Sequence, residues 1–101
     1  MDGLFVFEIM EMLIRTDSLL KILSGAYEVD LYTFKEFNVL NVFEINKRGI
    51  RIDFLFSIKL IVGGYSIVAP NGKTLNTGKT FLELARYLNS VNMLQGWFKV
   101  A

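Results

Sequence analysis

The residues Asn71-Gly72-Lys73-Thr74-Leu75-Asn76-Thr77-Gly78-Lys79-Thr80 come nearest to a chemical motif in this chain. A glycine turn followed by Gly-Lys-Thr at the mouth of a helix can hold a nucleotide phosphate, because backbone amides curl around the oxygens while the lysine neutralises them. That curl takes four residues between the first glycine and the Gly-Lys-Thr. Here Lys73 to Thr77 make five. Gly72 suits the left-handed position of a tight turn after Pro70, and Thr80 with Glu83 has the spacing of a helix cap. No later strand supplies a magnesium carboxylate. The stretch therefore reads as a turn, a strand and a helix start.

Other reactive combinations are thin. Cys and His are absent, which removes thiol nucleophiles, imidazole chemistry, the usual zinc and haem ligands and any disulfide framework, and fits a reducing, cytoplasmic setting. Asp53 stands with Arg51 and Lys59 on one strand face, as a cross-strand charge partner would. Ser57 and Lys59 would make a dyad only inside a shaped cleft, which an open sheet face does not provide. The expectation is a protein that is not an enzyme, with no cofactor and no metal.

Lys47, Arg48 and Arg51 fall at one hairpin tip, with Lys73 and Lys79 near another turn. Cationic hairpins can grip phosphates, so a small nucleic-acid-binding domain led by Lys47, Arg48, Arg51 and Lys79 is the alternative reading. Against it, 11 basic and 10 acidic residues leave a net charge of only +1, too weak to steer a polyanion.

Hydrophobic residues make up 52% and mean hydropathy is +0.40, so either the core is generous or a partner covers part of the surface. The longest apolar run, Phe54 to Ala69, contains Lys59 and is broken by Gly63-Gly64, which is short of a membrane span. Asp2 and Glu8 also argue against a secretory leader.

The elements that would position these residues centre on a long strand. Ile50, Ile52, Phe54, Phe56, Ile58, Leu60 and Val62 alternate with Arg51, Asp53, Leu55, Ser57, Lys59 and Ile61, which puts the first set on a core. Parity then sets the neighbours. A four-residue loop, Asn46 to Gly49, pairs Ile45 with Ile50 and Phe43 with Ile52, and sets Glu44 opposite Arg51. Gly63-Gly64 as a two-residue turn pairs Val62 with Tyr65 and Leu60 with Ile67. Pro70-Asn71-Gly72 forms a three-residue loop that leaves Ile67 facing Leu75.

Before this meander, Leu4 to Leu23 reads as a helix, since Glu8, Glu11, Arg15 and Ser18 share one helical face. Asp2 can cap its start, Thr16-Asp17 marks either a kink or a second helix start, and Gly25 follows its last turn. Ala26 to Tyr32 alternates as an edge strand, and Thr33-Phe34-Lys35-Glu36 has capping-box spacing for a short helix to about Leu40. Thr80 opens a second helix with Phe81, Leu84, Ala85 and Leu88 turned inward, and an apolar tail from Val91 to Ala101 packs back.

The whole is one α+β domain over residues 1–101: an antiparallel meander of about four to five strands with an N-terminal and a C-terminal helix on its apolar face. Pro70-Asn71-Gly72-Lys73, the helical Leu84-Ala85-Arg86-Tyr87-Leu88 and the aromatic tail resemble the end of a methyl-CpG-binding domain. The turn and helix are further apart here, Asn76 stands where that family has a basic residue, and the preceding loop lacks its arginine. The resemblance thus implies no DNA-reading residue.

What remains is excess apolar surface. The first helix is apolar nearly all round, so its outer flank should meet something. Phe5, Met10 and Met12 are the contact candidates there. Leu55 and Ile61 form a second set, lying with Val42 and Val68 among Arg51 and Lys59 on the polar sheet face. The expected role is a protein-interaction module, either self-associating as a homo-oligomer or serving a larger assembly.

Overall fold

The computed structural model describes residues 3–91, with side chains from Met10 onward. In chain order it runs α1 (Gly3–Leu23), β1 (Glu28–Thr33), β2 (Phe37–Ile45), β3 (Arg51–Ile61), β4 (Gly64–Val68), β5 (Thr74–Gly78) and α2 (Phe81–Ser90). The five strands form one antiparallel sheet in the order β1-β2-β3-β4-β5, the α+β meander expected from parity. The core lies on one face of it, where Leu19 and Leu23 of α1 and Leu84, Ala85 and Leu88 of α2 meet Leu40, Val42, Phe56, Ile58, Leu60, Tyr65 and Ile67.

Helix α1 runs unbroken through Thr16-Asp17, where the sequence suggests a kink. The Thr16 hydroxyl donates to the Met12 carbonyl at 2.9 Å, a local bond that a helix tolerates, and accepts from Asn38 Nδ2 at 3.0 Å. Burial of Met12, Thr16, Leu19 and Leu23 on one stripe then holds the helix to the sheet. At α2 the expected cap is present. Thr80 Oγ1 accepts the Glu83 amide at 3.1 Å, and the Glu83 carboxylate accepts the Lys79 amide at 3.2 Å.

The short helix expected after Thr33 is absent, and Phe37–Ile45 is instead a central strand. Its alternate residues Asn38, Leu40 and Val42 are buried, and it pairs with β1 on one side and β3 on the other. Two ladders satisfy its backbone where a capping box would have served only one helix end.

The β2–β3 register also departs from the four-residue loop. Ile45 opposes Arg51, and the Asn46 amide donates to the Ile50 carbonyl at 2.9 Å, leaving Lys47-Arg48-Gly49 as the loop. Asn46 Oδ1 accepts the amides of Arg48 and Ile50, and Gly49 takes a φ of 77°, which favours glycine. The ladder then slips twice, from Ile45 opposite Arg51 to Phe43 opposite Phe54 and to Val42 opposite Phe56. Each slip adds one residue to β3, as a β-bulge does, and exchanges faces. Val42 therefore turns inward and Phe43 outward, the reverse of the parity reading.

On the other side of β3, Leu60 opposes Tyr65 and Ile58 opposes Ile67. The turn is thus Val62-Gly63, and the even shift keeps every face. The Pro70-Asn71-Gly72 loop closes as expected, the Ala69 amide donating to the Lys73 carbonyl and the Gly72 amide to the Ala69 carbonyl, with a φ of 88° at Gly72. A slip beyond it sets Asn76, not Leu75, opposite Ile67. Asn76 Oδ1 then accepts the buried Tyr65 hydroxyl. The tail expected to pack back lies outside the described residues, apart from Val91.

Candidate functional site

The outer flank of α1 is built by helix periodicity. At about 100° per residue, Met10 and Ile14 lie opposite the stripe of Met12, Thr16, Leu19 and Leu23, with Leu13 beside them. Their exposures are 56% for Met10, 50% for Leu13 and 64% for Ile14. On the following turns the same row carries Asp17 and Lys21, which pair at 3.1 Å. Along one margin, Arg15 donates to Glu11 at 2.6 Å. Glu11, Ile14, Arg15 and Ser18 line a hollow of about 280 Å³ with Phe81 of α2, so the apolar flank continues into a shallow groove between the helices.

The sheet face away from the helices is a second surface. Arg51 donates to Glu28 at 2.9 Å and to Asp30 at 2.7 Å, and its guanidinium lies 3.8 Å above the Phe43 ring. The hydrogen bond to Asp30, with that to Glu28 and the charges of both, pushes the Arg51 pKa above its already high ordinary value. Lys59 Nζ sits 4.4 Å over the Phe37 ring, which also stacks on Phe34 at 4.6 Å. Glu36, Phe37, Lys59, Ile61 and Val62 line a hollow of about 270 Å³ at this end of the sheet. The face is thus aromatic, with its two strand cations laid over rings.

The residues singled out from the sequence do not converge. Met10 is on the exposed flank, but Met12 is buried, and Leu13 and Ile14 take its place outside. The Phe5 side chain lies outside the described residues. Leu55 packs against the core, because the slips in β3 place it there and turn Phe54 outward, while Ile61 remains exposed at the far end of β3. Leu13 and Ile14 were legible from the same periodicity, since both stand at helical spacing from Met10.

The basic residues are likewise apart. Lys47 and Arg48 are exposed in the β2–β3 loop, Arg51 is held by two carboxylates and has Asp53 as no partner, and Lys79 follows β5. The loop lies before the first residue of β3, whereas Gly78 pairs with Tyr65 beside the turn that follows its last. Among the described residues no group of three or more acidic side chains could hold a metal ion, and no helix is long and apolar enough to cross a membrane. Comparison with protein-family models, with curated proteins and with solved structures finds no match to this chain.

Proposed function

We propose that this chain is a non-enzymatic protein-interaction module that binds through the outer flank of α1. The observation that carries the reading is the half or greater exposure of Met10, Leu13 and Ile14 on a helix whose opposite stripe is sealed. A helix bordering solvent ordinarily turns charged residues outward, and here the outward side is apolar from Met10 to Ile14 before Asp17 and Lys21 follow on the same row. Covering such side chains contributes about 25 cal/mol per Å² of apolar surface. A polyanion partner has less support, because Arg51 is neutralised in place and Lys79 stands at the opposite end of β3 from Lys47 and Arg48.

The test is affinity capture with the chain as bait in extract of its native source, beside a Leu13→Gln/Ile14→Gln variant. A stoichiometric protein retained by the native flank and lost with the variant is expected, whether another protein or the untagged chain itself. If nothing is retained above background, the reading falls.

A further inference from the structure

Resting on that reading, we propose that the occupant of the α1 flank is a second copy of this chain, its α1 antiparallel to the first, with the two-fold axis passing near Met10. The spacing of the stripe is itself symmetric. Counting from Met10, the sequence places Leu13 and Ile14 three and four positions ahead and Phe7 and Val6 three and four positions behind. All five positions fall on one side of a helix. Antiparallel pairing about Met10 therefore brings the Leu13 and Ile14 positions of each copy against the Phe7 and Val6 positions of the other. Apolar positions meet throughout, as an isologous contact requires.

The charges fit the same register. Asp17 lies seven positions after Met10 and Gly3, the first residue of α1, seven before it. Each Asp17 thereby comes beside the helix start of the other copy. The first turn of α1, after Asp2, holds no acidic residue of its own, so the incoming carboxylate complements the positive end of the helix dipole. Glu11 pairs with Arg15 within the helix, so that margin presents no net charge for a highly charged partner to recognise, while the Asp17–Lys21 pair is exposed and worth little by itself.

The chain has no cysteine, so a single introduced thiol reports one position. Sedimentation of the full chain is expected to give a dimer, with the Ile14→Lys variant folded by circular dichroism and its dissociation constant raised about ten-fold or more, as for loss of a central contact. Under mild oxidation Met10→Cys should cross-link between copies, while Lys73→Cys, in the β4–β5 loop, should not. Ile14→Cys should also fail, because antiparallel pairing about Met10 separates the two positions by about 12 Å along the axis. A monomer at high concentration overturns the proposal, whether residues 92–101 or another protein covers the flank. So does a dimer in which Met10→Cys stays reduced, or in which Ile14→Cys cross-links as readily. A monomer that still captures a different protein through Ile14 ends the second-copy inference and leaves the interaction reading standing; a monomer that captures nothing ends both.

Discussion

The Phe54 ring lies 5.3 Å from the Phe43 ring on the sheet face turned away from the helices, while Phe56, two residues along the same strand, is sealed beneath them. A strictly alternating strand would bury both. The slip between the two residues separates their environments, and exposure follows at 37% for Phe54 and 5% for Phe56. Phe56→Ala should cost about 3–5 kcal/mol, as for a buried aromatic, and Phe54→Ala about 1–2 kcal/mol. Urea unfolding of the two variants measures the difference. Equal costs would mean that the ladder does not slip.

Asn38 is 2% exposed, donates from Nδ2 to the Thr16 hydroxyl, and leaves its buried Oδ1 without a hydrogen-bond partner. A Thr16→Ala and Asn38→Ala double-mutant cycle should show a coupling of about 0.5–2 kcal/mol. Asn38→Leu, which removes the orphan acceptor along with the donor, should be milder than Asn38→Asp, which puts a carboxylate in the same dry site. Thermal or urea denaturation of the set gives the order, and an additive cycle would show that the bond does not join α1 to β2 energetically.

At the β4–β5 border two glycines stand where no side chain fits. A Cβ on Gly64 would come within 2.7 Å of the Gly78 carbonyl oxygen, which is backbone and cannot swing aside. Gly64→Ala should cost about 1–3 kcal/mol, whereas Gly25→Ala, whose Cβ would meet nothing closer than 3.6 Å, should be close to neutral. Equilibrium unfolding separates the two cases.

The Tyr65 hydroxyl is pushed above its ordinary pKa, first by burial and then by the nearby Glu83 and Tyr87. In the unfolded chain it ionises near its ordinary value of about 10. Below that pH both states keep the proton and the full stability is present. As pH rises through the unfolded value toward the folded one, the unfolded chain loses the proton first and stability falls. Tyr65→Phe should flatten part of this alkaline loss while losing the bond to Asn76. An unchanged slope between pH 9 and 11 in the variant would place the titration elsewhere.

The fold was legible where local chemistry and burial agree. Ile58 and Leu60 alternate with Ser57 and Lys59 on one strand, Pro70-Asn71-Gly72 can close only one kind of loop, and Thr80 with Glu83 caps α2 as its spacing demands. It was illegible where two patterns overlap. Thr33 to Glu36 carries a cap signal, but the alternation of Asn38, Leu40 and Val42 between two strands outweighs it. Parity failed at the β2–β3 hairpin because extra residues in β3 exchange faces, and nothing in Arg51 to Leu55 announces them. That is why Leu55 joins the core and Phe54 the open face. On α1 the apolar pattern did not give the helix's rotation, so Met12 falls inside and Ile14 outside.

The bond between Thr16 and Asn38 also has a consequence in time. During synthesis α1 leaves the ribosome before any strand of the sheet, so its inner stripe of Met12, Thr16, Leu19 and Leu23 forms ahead of the face it packs on. Its polar anchor arrives 22 residues later, and the lining from Phe56 to Ile67 later still. The apolar stripe of Met12, Leu19 and Leu23 is therefore without its sheet until the meander closes, and it depends on contacts made far along the chain.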